Sequence, residues 1–161
     1  LIMRNIDSVG TQGLAVVSGG DSCGPTSCSM VAYYYHGQIK EISEESSRDL
    51  SLSLGGGWDG SGNGAGGFNL NDVLTALKVK SNASTNVGAN NVAHAIVTNA
   101  TKRTPMIVNV GWHWVVALEV VNNSCIFLDP WFGVHSVPIA SFPAYPKPGK
   151  AIDGWVITTY R

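Results

Sequence analysis

The sequence changes its pattern at Pro105, and this change limits the folds that the chain can adopt. After Pro105, five runs are rich in β-branched and aromatic residues, and turn residues separate them. These runs cover residues 106–110, 114–121, 125–128, 134–137 and 155–159. The segments before Pro105 have helical patterns instead. Helices followed by strands predict an α+β fold, in which an N-terminal helix packs on a C-terminal antiparallel β-sheet.

The first predicted helix begins directly after a cysteine, Cys23. Pro25 suits the first position of a helix and Gly37 suits the position past its end, so residues 25–35 are predicted to be helical. Its buried stripe is expected to contain three apolar or aromatic residues: Met30, Val31 and Tyr34.

Two further helices are predicted before Pro105. Four apolar residues recur at the spacing of one helical face: Leu70, Val73, Leu74 and Leu77. They predict a helix over residues 69–79, and a shorter helix is predicted from residue 91 to about residue 101, with Val92 and Ile96 facing inward. Residues 55–67 hold eight glycines around Trp58 and Asp59. This segment is interpreted as a loop, either a plain surface loop or a flap over a site.

Size and charge exclude several kinds of partner. With 161 residues, the sequence is predicted to form a single domain over residues 1–161. The net charge is −1 and no basic cluster exists, so nucleic-acid binding is not expected. No apolar stretch approaches the roughly 20 residues that span a membrane, so a membrane partner is not expected either. Only 13% of the residues are charged, a composition that favours secretion or delivery to the outside.

The cysteines and histidines do not form a metal-binding pattern. The four histidines are dispersed and no Cys-x-x-Cys pair occurs, so neither a metal nor another cofactor is expected. Three cysteines are too few for a disulfide scaffold, and an odd number leaves at least one thiol free. Cys28 and Cys125 are expected to be buried core residues, although a disulfide between them stays open.

Cys23 has the position that a nucleophilic cysteine needs. A free thiol has a pKa near 8.5, and the unpaired N–H groups and positive dipole end at a helix start favour the thiolate. The same N–H groups can hold the negatively charged oxygen that develops during acyl transfer. A plainer interpretation is that Cys23 is only a small buried residue at a helix start.

Three short segments carry a resemblance to a known family. Residues 23–25 (Cys-Gly-Pro) open a helix that ends near residues 34–37 (Tyr-Tyr-His-Gly). Residues 111–116 (Gly-Trp-His-Trp-Val-Val) and residues 129–133 (Asp-Pro-Trp-Phe-Gly) follow in that order. Together they resemble the motifs of the papain-like peptidase C39 and C39-like family, except that one residue is inserted before the histidine. The resemblance covers most of the chain and implies the papain-like fold.

The resemblance also implies the roles of individual residues. Cys23 would attack a carbonyl carbon, His113 would exchange a proton with the thiol and the leaving amine, and Asp129 would fix the imidazole tautomer. The backbone N–H of Cys23 would bind the oxyanion. Gln12 is a second oxyanion candidate, although it lies 11 residues upstream of Cys23 rather than a few, and it would otherwise be a solvated loop residue. Three tryptophans near this site would line a substrate groove or only shield the His–Asp hydrogen bond: Trp112, Trp114 and Trp131.

The remaining histidines have plainer interpretations. His36 is expected to stabilise a helix C-terminus, where a cation is favourable, and His94 is expected on the surface. His135 is the one rival base, because it follows Asp129 closely in the sequence.

The spacing of His113 and Asp129 sets a condition on the hairpin between them. Opposite residues of an antiparallel pair lie on the same face of the sheet. A regular two-residue turn at residues 122–123 would pair Val116 with Asp129, which puts the carboxylate on the wrong face. A three-residue loop would instead pair Val115 with Asp129 and bring the two side chains onto one face. We therefore expect an odd-length loop or a β-bulge in this hairpin.

Several functions are compatible with these residues. The resemblance implies a cysteine peptidase that cleaves a peptide or protein substrate, with a preference for small residues before the cleaved bond. The same chemistry on a side-chain amide would make the chain a glutamine deamidase or transglutaminase-like effector or toxin, with an inhibitor or immunity protein as a further partner. A cell-wall amidase and an inactive papain-fold binding module would also have this fold. The presence of Cys23, His113 and Asp129 together argues against the inactive module.

Overall fold

The computed structural model describes residues 23–36, 49–51, 53–54, 67–87, 89–100, 104–110, 113–130, 133–144 and 152–160. The helices are α1 (Cys23–His36), α2 (Gly67–Ala76) and α3 (Ala89–Ala100). The strands are β1 (Lys80–Val87), β2 (Met106–Val110), β3 (Trp114–Val121), β4 (Ser124–Asp129), β5 (Gly133–Pro138) and β6 (Ile152–Tyr160). A 3₁₀ helix, Ile139–Ala144, lies between β5 and β6.

The strands form one antiparallel sheet with helices on both faces. Their order is β1-β6-β2-β3-β4-β5, and each neighbouring pair is antiparallel. Helices α1 and α2 pack on one face, and α3 packs on the other. The predicted α+β class, with an N-terminal helix on an antiparallel sheet, is therefore confirmed. No helix within the described ranges is long and apolar enough to cross a membrane.

The core is divided by the sheet into two layers. On the α1 side, Val116 and Leu128 pack with Met30 and Leu70. On the α3 side, Val115 and Phe127 pack with Ile96. This alternation follows from the period of two along a strand, which sends neighbouring side chains to opposite faces. Strands β3 and β4 are covered on both faces of the sheet, so their sequences are apolar almost without interruption.

The two structural cysteines lie in different layers of this core. Cys28 is fully buried on the α1 side and Cys125 is fully buried on the α3 side. Cys23, Cys28 and Cys125 are all free thiols. The open possibility of a Cys28–Cys125 disulfide is therefore wrong, because the sheet lies between the two side chains.

Helix α1 is buried around its whole circumference over its first ten residues. Residues 23–32 are all buried, and they include Met30 and Val31 as predicted, whereas Tyr34 is only half-buried. A helix that is buried on all sides does not form the single stripe that the sequence predicts. Short side chains dominate this stretch, with serine, threonine, cysteine, glycine and alanine together, and they let neighbouring elements approach the helix closely.

Helix α2 ends three residues before the predicted position because of a left-handed residue. Lys78 has φ = 64°. The Val79 N–H donates to the Leu74 carbonyl and the Lys78 N–H donates to the Thr75 carbonyl. This pair of hydrogen bonds is the Schellman motif, which normally uses glycine at the position that Lys78 occupies.

Strand β1 is the main element that the sequence pattern does not predict. It lies before Pro105 and has the composition Lys-Ser-Asn-Ala-Ser-Thr-Asn-Val, without apolar alternation. Among the described residues it is an edge strand with β6 as its one strand neighbour, so backbone hydrogen bonds to β6 define it. The strict order of helices first and strands afterwards is wrong in this respect. The predicted loop at residues 55–67 lies outside the described residues except for Gly67, which begins α2.

The β3–β4 hairpin combines a tight turn with a bulge. Val121 pairs with Ser124, so the turn has two residues, Asn122 and Asn123, with φ values of 52° and 62°. Positive φ at both positions is what a type I′ turn requires. The register then shifts between Ala117 and Glu119, which leaves Leu118 as an extra residue. The bulge that the spacing of His113 and Asp129 demands is therefore present.

The two-residue turn predicts the effect of substitutions at Asn123. Replacing Asn123 by glycine should raise the free energy of unfolding by about 0.5–1 kcal/mol, because glycine adopts positive φ without steric cost. Replacing it by alanine should lower the same quantity by about 1 kcal/mol, because a Cβ that cannot hydrogen-bond locally disfavours the left-handed region. Urea unfolding of the two variants measures both changes. Equal stabilities of the glycine and alanine variants would contradict the turn type.

Candidate active site

Cys23 is the first residue of α1 and lies against the first residue of β3. Its side chain is 5% exposed. The backbone N–H of Trp114 donates to the Cys23 sulfur over 3.5 Å. The sulfur therefore has a polar donor on the strand side and lies at the helix start, where the dipole favours negative charge.

His113 and Asp129 form a buried hydrogen bond. The Nε2–H group of His113 donates to Oδ1 of Asp129 over 2.7 Å. The side chains are 2% and 0% exposed, so water does not compete for this bond. A carboxylate that is shielded from water in this way interacts more strongly with a ring N–H than an exposed one does. The second ring nitrogen, Nδ1, is buried as well.

The elements that carry these side chains explain why they meet. His113 directly precedes β3 and Asp129 is the last residue of β4. Val116 pairs with Leu128 on the far side of the bulge, so continuing the register by one residue places Val115 opposite Asp129. His113 and Asp129 therefore lie as diagonal neighbours at the open end of this hairpin, next to the start of α1.

The peptide bond between His113 and Trp114 connects the two halves of the site. Its N–H is the group that donates to Cys23, so the His113 backbone lies next to the sulfur. The Trp114 carbonyl accepts a second bond from α1, from the Ser27 hydroxyl at 3.3 Å. One residue of β3 is thus bonded to two residues of the first turns of α1.

Gly24 permits the close approach of α1 to its neighbours. A Cβ at this position would lie 3.0 and 3.1 Å from the two methyl carbons of Leu70 and 3.3 Å from Cδ1 of Trp114. These distances are shorter than ordinary van der Waals contact, so a side chain would displace Leu70 or Trp114. Any side chain at position 24 would therefore require Leu70 or Trp114 to shift by a few tenths of an ångström.

Of the four other residues that the sequence predicts for the site, the structure describes one, Trp114. Gln12, Trp112 and Trp131 lie outside the described residues. Trp114 is 5% exposed and packs in the α1-side core, which leaves little of its ring for a substrate to touch. Its predicted role in substrate binding stays a prediction.

The three histidines outside the site lie on different elements. His135 is on β5 opposite Phe127, and His94 is exposed on α3. The Nε2–H of His36 donates to the Lys78 carbonyl, so His36 joins the end of α1 to the turn after α2. Within the described part of the chain, no group of three or more metal-ligating side chains occurs.

Sequence reasoning missed Ser27. The signal was present, because Ser27 follows Cys23 by four residues and therefore lies about 40° away on the same side of a helix. The contact between Gly24 and Leu70 joins separate segments, and no local pattern predicts it.

Comparison with known proteins identifies the fold. No protein-family model matches the sequence, and no curated protein matches it either. Among solved structures, the peptidase domain of Streptococcus ComA, described as a bi-functional ABC transporter involved in quorum sensing, superposes with a TM-score of 0.62 at 18% identity. The match covers 87% of this chain and 92% of that one.

Two further solved structures are similar. A double glycine motif protease from an AMS/PCAT transporter, in complex with the leader peptide, has a TM-score of 0.58 at 16% identity, with 86% of this chain and 84% of that chain covered. UfSP from C. elegans has a TM-score of 0.57 at 12% identity, and the match covers 86% of this chain but 30% of that one. At these identities the likeness shows a shared fold. The papain-like, C39-like fold that the sequence motifs imply is thus confirmed.

The buried cysteines predict a dependence of stability on alkaline pH. Burial raises the pKa of the Cys28 thiol, and burial together with the Glu119 carboxylate raises the pKa of Cys125 to about 12. An unfolded thiol titrates near pH 8.5. The folded state therefore binds these protons more tightly, and the stability they contribute is complete below about pH 8 and is lost as the pH rises towards 12. Between the unfolded and the folded pKa, each thiol lowers the free energy of unfolding by about 1.4 kcal/mol per pH unit.

Urea unfolding at pH 8 and pH 10 tests this dependence. From pH 8 to pH 10, the free energy of unfolding of Cys125→Ala should fall by about 1.4–2 kcal/mol less than that of the wild type. The reason is that the variant lacks one of the two buried thiols that hold a proton in the folded state. Both proteins contain the same lysines and tyrosines, so those groups cancel in the comparison. An equal loss in both proteins would show that Cys125 does not remain protonated in the folded state.

Proposed function

We propose that this chain is a cysteine peptidase in which Cys23 is the nucleophile, His113 is the general base and acid, and Asp129 orients the histidine. The observation that carries the proposal is the buried 2.7 Å hydrogen bond between the side chains of His113 and Asp129. The residue after His113, Trp114, donates its backbone N–H to the Cys23 sulfur, so this pair lies beside the nucleophile. The papain-like fold supports it, because two of the similar structures are peptidases.

The hydrogen bond to Asp129 assigns different tasks to the two ring nitrogens. A carboxylate accepts hydrogen bonds, so the His113 nitrogen that faces it, Nε2, carries a proton. The neutral ring then has its lone pair on Nδ1, which takes the proton of the Cys23 thiol. Asp129 also stabilises the imidazolium that results, and its burial strengthens this effect.

The reaction proceeds in two steps that share one acyl-enzyme. The Cys23 sulfur attacks the carbonyl carbon, and the oxygen that becomes negative is bound by the Cys23 backbone N–H at the start of α1, with Gln12 as a second donor. The C–N bond breaks when His113 gives its proton to the leaving amine, which leaves a thioester on Cys23. Water then attacks the thioester, His113 takes a proton from it, and the carboxylic acid product and the thiol are released.

The substrate class that we propose is a peptide with small residues before the cleaved bond. One similar structure is a double glycine motif protease in complex with the leader peptide, which supports a peptide as the ligand of this chain. The secreted effector and toxin roles gain no support from the three similar structures, and neither does deamidation. An inhibitor or immunity protein stays a prediction of the sequence.

Cleavage of a synthetic peptide tests the proposal. A peptide with a Gly-Gly sequence at its centre should be cut by the wild type after the second glycine, and intact mass spectrometry should show both fragments. The Cys23→Ala variant should show no cleavage above background, because it has no nucleophile. Cys28→Ala and Cys125→Ala are matched controls: both remove a buried thiol, and both should keep cleavage.

The masses also separate a peptidase from a deamidase. A gain of about one mass unit on a glutamine-containing peptide without cleavage would replace the peptidase by a deamidase. Equal cleavage by the wild type and by Cys23→Ala would remove Cys23 from the mechanism. The absence of any change with either peptide, together with no alkylation of Cys23 at neutral pH, would contradict the enzyme assignment.

A further inference from the structure

Ser27 lies on the side of α1 that faces the site but has no place in the proposed chemistry. It is fully buried and follows Cys23 by four residues, which is about one turn of the helix. Its hydroxyl donates to the backbone carbonyl of Trp114 over 3.3 Å, a bond between residues that are 87 positions apart. A buried long-range hydrogen bond of this kind fixes the distance between two elements.

The bonds of Ser27 and Cys23 end on the same residue of β3. The Trp114 N–H donates to the Cys23 sulfur, and the Trp114 carbonyl accepts from Ser27. The N–H and C=O groups of one strand residue point to the same side of the strand. The two bonds therefore join both backbone polar groups of Trp114 to one side of α1.

We propose that Ser27 is a positioning residue that holds the Trp114 backbone so that its N–H stays directed at the Cys23 sulfur. This inference rests on the proposed role of Cys23 as the nucleophile. A hydrogen-bond donor aimed at sulfur favours the thiolate over the thiol, because the charged form is the stronger acceptor. His113 shares the peptide bond that carries this N–H, so the same contact also sets the distance between imidazole and thiol.

Ser29 provides a matched control on the same helix. It is 1% exposed, and its hydroxyl donates to the Pro25 carbonyl over 3.2 Å, four residues back within α1. Ser27 and Ser29 therefore have the same residue type and the same burial. The hydroxyl of Ser27 bonds to Trp114 of β3, beside the site, whereas the Pro25 carbonyl that accepts from Ser29 lies within α1.

The test measures the rate at which iodoacetamide alkylates Cys23 between pH 5 and pH 10. Peptide mapping by mass spectrometry reports Cys23 separately from Cys28 and Cys125. In Ser27→Ala, the rate at pH 6 should fall about 3- to 10-fold, the range of one lost hydrogen bond, and the pH of the half-maximal rate should move upwards. The plateau rate at high pH should change little, because Cys23 is fully deprotonated there in both proteins. In Ser29→Ala, both the rate and the half-maximal pH should match the wild type.

A thermal melt of each variant separates positioning from general loosening. The inference is supported if Ser27→Ala and Ser29→Ala have the same melting temperature but differ in the pH of half-maximal alkylation of Cys23. Equal pH profiles of the two variants overturn it. Ser27→Thr keeps the hydroxyl and should retain the wild-type profile, and this variant decides the question if Ser27→Ala does not fold. An upward shift in Ser27→Thr would overturn the inference.

The wild-type profile distinguishes this inference from the proposed function. If Cys23 of the wild type reacts only at the pH of an ordinary thiol, near 8.5, the proposed nucleophile fails, and the role of Ser27 fails with it. If Cys23 reacts well below that pH and Ser27→Ala leaves the profile unchanged, only the role of Ser27 fails.

Discussion

The hydrogen bond between His113 and Asp129 is the interaction on which the rest of the site depends. Its two side chains are almost completely buried, at 2% and 0% exposure. A buried carboxylate without a partner would cost several kcal/mol, so neither residue can be moved to another environment cheaply. The strands must therefore present both residues on one face, and the hairpin between them has to meet that condition.

The hairpin meets it with a bulge rather than with a longer loop. Asn122 and Asn123 both take positive φ, which asparagine tolerates better than most residues, and this allows the two-residue turn. The extra residue Leu118 then corrects the register that such a turn would otherwise give. A turn and a bulge separated by only a few residues thus determine which face Asp129 occupies, and through it the orientation of His113.

Much of the fold could be predicted from the sequence, because local patterns specify it. The Cys-Gly-Pro start of α1 and the apolar runs of β2 and β3 appear where the pattern places them. The choice between an odd loop and a bulge could not be made, because both give the same faces. Strand β1 has no apolar pattern, and the end of α2 depends on a left-handed lysine, Lys78, that no propensity favours. The bond from Ser27 to Trp114 joins residues 87 positions apart, which places it beyond local reasoning.

The protonation of His113 tests the central claim most directly. In protein labelled with ¹⁵N at histidine, a long-range ¹H–¹⁵N spectrum distinguishes the two ring nitrogens of each histidine, and Asp129→Ala identifies the signals of His113. We predict a proton on Nε2 at neutral pH that exchanges slowly with water, because it is held by Asp129 in a buried pair, and we expect Asp129→Ala to make this exchange fast. A neutral ring with its proton on Nδ1, or an Nε2 proton whose exchange does not respond to Asp129→Ala, would contradict the proposed role of the pair.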